Sequence, residues 1–98
     1  MKRSSNLLTL TASLITKHTI RYTPAGLPVI HCQLQHDGEA YEANQIRQIQ
    51  MSVEAIAIGE ISKDLEQMEL GTSAVFEGFL TQKTLRNERL VLHITKIE

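Results

Sequence analysis

Ninety-eight residues with a formal net charge of −1, 42% hydrophobic residues and one cysteine describe a single small domain, 1–98, near the lower size at which one core suffices without staples. That composition offers no membrane-spanning helix, no disulfide framework and no strongly basic surface, and it points to a reducing, cytoplasmic setting. The charge is uneven: in residues 54–70, Lys63 stands alone against Glu54, Glu60, Asp64, Glu66 and Glu69, while the remainder is mildly basic. The chain opens with MKRSSNLLTLTASLI, a basic tip followed by an apolar run that Thr, Ser and Asn interrupt too often for a secretory segment. Leu8, Leu10, Ala12 and Leu14 recur at period two, which predicts a first strand over Asn6–Ile20 with one buried face. Thr23-Pro24-Ala25-Gly26 then reads as a tight turn, Pro24 presetting φ at the first corner and Gly26 supplying a positive φ. Pro28 lacks an amide hydrogen and suits the start of a second strand, Val29–His36, in which Ile30, Cys32 and Leu34 share a face.

Asp37–Asn44 is polar, contains Gly38 and reads as a loop carrying Tyr41. Gln45–Ile58 reads as a third strand, with Ile49, Met51 and Val53 on its apolar side and Ile46 and Gln48 opposite. At Glu60–Leu70 the period changes: Ile58, Ile61, Leu65 and Met68 follow helical spacing, and Gly71 stands where a helix would end. Ser73–Gln82 and Arg89–Ile97 return to strand, joined by a polar loop over Lys83–Glu88, and Gly78 marks a bulge or a close backbone approach. Five strands with one short helix between the third and fourth is the order of the all-β OB-fold, a five-stranded Greek-key barrel. Closure removes the exposed edges that strands this apolar would otherwise present. That fold binds oligonucleotides or oligosaccharides on its second and third strands and on the loops after the first and fourth.

Candidate contacts fall on those places. Arg21 beside Tyr22 pairs a guanidinium with a ring, the chemistry that grips phosphate and stacks on bases; the same pair also fits a solvated Arg and a half-buried Tyr on an ordinary hairpin. Lys83, Arg86 and Arg89 cluster in one connection against Glu88 alone, which favours phosphate contact over plain solubilising charge. Arg47 fits either role, and Tyr41 is a second candidate ring. The acidic helix reads as a solvated face over one end of the barrel. His18 and His93 read as isolated structural histidines. Cys32 and His36 share a strand face from which His31 points away, too few ligands for zinc, so no metal or cofactor is expected. No nucleophile–base pair, phosphate loop or paired carboxylates appear, which argues against an enzyme.

Asn6-Leu7 followed by Ile20-Arg21-Tyr22-Thr23-Pro24-Ala25-Gly26 resembles the opening of bacterial single-stranded DNA-binding proteins. Gly26-Leu27-Pro28, His31-Cys32-Gln33, Glu77-Gly78-Phe79-Leu80 and Val91-Leu92-His93 are closer still to primosomal replication protein N, the PriB family. The sequence stops at Glu98 with the last strand, as PriB-like chains do, without the long acidic-tipped tail of ordinary single-strand binders. The resemblance implies a cytoplasmic homodimer that binds single-stranded DNA and stimulates a PriA-type helicase at stalled forks, with Arg21, Tyr22, Tyr41, Arg47, Lys83, Arg86 and Arg89 as contacts. One departure stands out: family members carry aromatics and cations around the third strand, whereas this chain has Ala43-Asn44-Gln45-Ile46-Arg47-Gln48 and no Trp. A stacked base is worth roughly 1–3 kcal/mol, so weak single-strand binding is expected. The alternatives are a protein-interaction adaptor that has largely lost DNA binding, or a short single-stranded DNA-binding protein.

Overall fold

The structure, a computed structural model, describes residues 4–98; the basic tip, residues 1–3, lies outside the described residues. The period-two runs form strands and the helical-period run forms the helix. In chain order these are β1 (Leu8–Lys17), β2 (Arg21–Tyr22), β3 (Pro28–Glu42), β4 (Gln45–Ile58), α1 (Glu60–Gln67), β5 (Ser73–Gln82) and β6 (Leu90–Ile97). β1 serves two neighbours, Leu8–Ser13 running against β5 and Ser13–Lys17 against β3. Ile15 is the extra residue at the register slip between Leu14 and Thr16, and such a bulge bends a strand enough to pass from one partner to the next. The ladder β1-β5-β6-β4-β3 therefore closes on itself through β1 and β3, with β4 and β6 parallel. This is the OB-fold. The short β2 continues the path of β1 along β3.

Inward positions of β1, β3, β4, β5 and β6, among them Leu14, Leu34, Ala55, Phe76 and Leu92, meet in one core. Cys32 lies within it, and burial pushes its thiol up to about 12, so it packs as a small apolar side chain without reactive character. α1 lays Leu65 over one end of the barrel and turns Glu60, Asp64 and Glu66 to water. At the other end Leu8, Met51, Val53, Leu80 and Leu90 surround a cavity of about 470 Å³. On β5, Gly78 lies directly against the His93 carbonyl of β6, where an added Cβ would collide. A register slip between Glu77 and Gly78 accompanies that approach.

Three sequence expectations need correction. The first strand stops at Lys17, not Ile20, because the chain leaves the ladder at 18–20 before Arg21 and Tyr22 rejoin it. Asp37–Asn44 is not a loop: β3 runs to Glu42, and only Ala43 and Asn44, at φ 53 and 63, turn the chain. Two successive positive φ values make the tight turn whose twist matches a hairpin. The helix ends at Gln67, with Met68 already extended, so Gly71 lies beyond its cap. The Lys17 ammonium takes over there, donating to the carbonyls of Glu66 and Met68, the latter at 2.5 Å. A cation at that end also suits the helix dipole. The Thr23–Gly26 turn is as expected, with Gly26 N donating to Thr23 O at 2.8 Å and Gly26 at φ 89.

Candidate nucleic-acid interface

Alternation along β3 and β4 decides which side chains leave the barrel. With Ile30, Cys32 and Leu34 inside, His31 and Gln33 face out; with Ala55 and Ala57 inside, so does Glu54, and the register sets it opposite Gln33. To this patch the β1–β2 stretch adds His18, Thr19 and Arg21, and the β5–β6 connection adds Lys83 and Arg89, around a cleft of about 340 Å³. The connection is pinched at its base, where Lys83 N donates to Arg89 O at 2.8 Å. The amides of Asn87 and Arg86 donate to Thr84 Oγ1 at 3.0 and 3.3 Å, and Arg89 N donates to Asn87 Oδ1 at 3.0 Å. Both ends of the loop are thus delivered to the cleft, while Leu85 and Arg86 ride at its exposed tip.

Glu54 is the hub of the charges. Lys83 Nζ lies 2.9 Å from its Oε2 and an Arg89 guanidinium nitrogen 3.6 Å from its Oε1. The carboxylate side chain is 15% exposed, against 39% for Lys83 and 69% for Arg89. The hydrogen bond from Lys83 holds the Glu54 carboxyl below its ordinary range, prevailing over burial, with the charges of Lys83, Arg89 and His31 adding to it. His31 is displaced the same way for other reasons. Burial lowers its pKa first, then the charges of His18, Lys83 and Arg21, while Glu54 opposes them. His18 N donates to the His31 carbonyl at 2.8 Å, and the two rings stand 6.4 Å apart. At neutral pH the cleft therefore presents three cations, one carboxylate and, at His31, an uncharged imidazole. Among the described residues, no three His, Cys, Asp or Glu side chains converge to hold a metal ion.

Of the residues expected to form a site, Arg21, Lys83 and Arg89 come together. Tyr22, next to Arg21 on β2, faces the opposite way, toward Lys63 and Glu66 of α1. The adjacent guanidinium and ring are therefore separated by ordinary strand alternation. Tyr41 stands near the hairpin tip beside Ile46, the two 73% and 61% exposed and roughly 25 Å along the strand from Gln33. Arg47 shares strand parity with the inward Ile49 and Val53, so it lies on the face opposite Tyr41, where it pairs with Glu42 at 3.0 Å. Arg86 lines no part of the cleft. His18, His31, Gln33 and Glu54 were not expected there. The outward alternation of the second and third strands was the signal for the last three, and Glu54 was obscured by standing in sequence beside the acidic helix.

Residues 6–96 match a sequence family described as "Another single-strand binding protein family". The replication restart protein PriB of Bordetella pertussis is 33% identical over 89 residues, covering 91% of this chain and 83% of that protein. PriB of Neisseria gonorrhoeae is 34% identical over 94 residues, covering 96% and 93%. The crystal structure of PriB from Ralstonia solanacearum, 38% identical, superposes with a TM-score of 0.91 over 97% of each chain. Sequence and barrel agree over almost the whole length, and the chain belongs to the PriB family of replication restart proteins.

Proposed function

We propose that this chain binds single-stranded DNA through the cleft of Arg21, Lys83 and Arg89 and, as a cytoplasmic homodimer, stimulates a PriA-type helicase during replication restart. The observation that carries the DNA reading is the convergence of three cations from two distant stretches, the β1–β2 segment and the β5–β6 connection, on the outer face of β3 and β4. Each cation that neutralises a phosphate releases a counterion, and for a single strand each contributes about −0.7 to the slope of log affinity against log salt. Three cations set a limit near −2. No Phe, Tyr or Trp lines the cleft, which leaves electrostatics to supply most of the affinity, so binding is weak and tolerant of sequence. Fluorescence anisotropy of labelled oligo-dT and of matched duplex across a salt series tests this. The single strand is preferred, and Arg21→Ala, Lys83→Ala and Arg89→Ala together flatten the slope, whereas Arg86→Ala changes it less. A triple variant with the wild-type slope would remove the cleft from the account.

A second reading has its own observation. Tyr41 and Ile46 form an exposed apolar patch far from the cleft, the kind of surface that meets another protein. If that patch contacts the helicase, Tyr41→Ala with Ile46→Ala lowers stimulation of unwinding in a fork assay and leaves anisotropy with oligo-dT unchanged. Loss of DNA binding in that variant would instead assign Tyr41 to the nucleic acid.

A further inference from the structure

Two of the three cations of the cleft are not free. Lys83 and Arg89 both reach the one carboxylate of Glu54, whose two oxygens face one cation each at 2.9 and 3.6 Å. A phosphate presents oxygens to Lys and Arg in the same manner. Glu54 comes from the second half of β4, opposite the β3 residue Gln33 that also lines the cleft, and its side chain is the least exposed of the three. We infer that Glu54 is an internal competitor for the DNA backbone: it holds the anion position between Lys83 and Arg89 in the free protein, and a phosphate must displace it to bind there.

This inference rests on the reading of the cleft as the single-strand site and adds to it what limits the affinity. Two consequences follow from the charge arrangement. Cations partly neutralised by Glu54 deliver less net positive charge to the strand, so fewer of the counterions condensed on its phosphates are released when it binds. The wild-type salt slope therefore falls short of the limit near −2 that three free cations would give. Affinity is also reduced by the pairing that has to be broken. For partly exposed pairs the loss is modest, about fivefold at low salt. The competitor leaves the preference for the single strand intact and keeps non-specific polyanion binding low.

Glu54→Gln is the informative variant, because the carboxamide keeps the shape and removes the charge. It leaves the partly exposed Lys83 and Arg89 free to be solvated, so the melting temperature serves as a control on folding. With labelled oligo-dT, Glu54→Gln is expected to bind about fivefold more tightly at low salt and to steepen the slope by up to about 0.7, for the one net charge unmasked. Glu69→Gln, the same charge change at an exposed site beyond α1, has much less effect. The gain vanishes when Glu54→Gln is made in a Lys83→Ala, Arg89→Ala background, since nothing is then left to unmask. Equal gains from Glu54→Gln and Glu69→Gln would overturn the inference, as would a gain that persists without the two cations. Salt elution from heparin, a polyanion with no bases, reads the same competition independently. Should neither the wild type nor Glu54→Gln bind oligo-dT, the single-strand reading fails, and heparin elution still decides the competitor. Later elution of Glu54→Gln that depends on Lys83 and Arg89 supports it, and co-elution with the wild type overturns it.

Discussion

Glu54 and His31 in the cleft, with His93 on β6, make the stability of this protein sensitive to acid. Burial, joined at His31 by neighbouring positive charge, lowers the pKa of His31 and His93 below the ordinary 6.5. His93 does so against Phe79, its ring stacked at 4.9 Å. The unfolded chain takes up those protons first, so stability falls as pH drops below 6.5 and through the lower folded values. Glu54 acts in the same direction further down: its contribution is full above 4.5 and is lost as pH falls through its depressed folded value. The melting temperature at pH 5.5 is therefore expected below that at pH 7.5, and His31→Gln with His93→Gln flattens that part of the curve. A flat wild-type profile would contradict the assignment. Gly78 makes a different demand, for space. Gly78→Ala drives a methyl group into the His93 carbonyl and is expected to destabilise by about 1–3 kcal/mol in urea unfolding, with wild-type stability as the contrary result. That requirement was legible in the sequence, since an isolated glycine in a strand pattern signals close backbone approach.

At the scale of elements, the long β3–β4 hairpin is where sequence and structure part. Its outer half, Asp37–Gln48, is exposed or half-buried on both faces, so nothing selects an alternating pattern, and a polar stretch reads as a loop. The readable clue was Asn44 at the turn, a residue that tolerates positive φ. Ala43 shares that conformation without a side chain suited to it, at an expense of about 1–2 kcal/mol. Ala43→Gly is therefore expected to stabilise the hairpin by about 0.5–1 kcal/mol after the greater unfolded entropy of glycine is counted, seen as slower amide exchange near Tyr41. Faster exchange would contradict the turn. The end of α1 was hidden for another reason. Its cap is Lys17, which acts across 49 residues of sequence, and local spacing carries no trace of it.

At the scale of the molecule, the net charge of −1 conceals a cleft lined by three cations, because barrel closure gathers side chains from residues 18–21, 31–33, 54, 83 and 89. Arg21, Lys83 and Arg89 were legible because the strand order sets the loops after the first and fourth strands beside one face. Glu54 was not, because in sequence it stands beside the acidic helix, and only the folded barrel brings the β5–β6 connection with Lys83 to its carboxylate. Tyr22, Tyr41 and Arg47 were drawn in by residue type, and strand alternation or distance along the hairpin takes each away from the cleft. The measurement that tests the account most directly is a titration of isotopically labelled protein with oligo-dT, followed by amide shifts. The largest changes are expected at Arg21, His31, Gln33, Glu54, Lys83 and Arg89. Shifts confined to the hairpin around Tyr41 and Ile46, or no shifts at low salt, would contradict it.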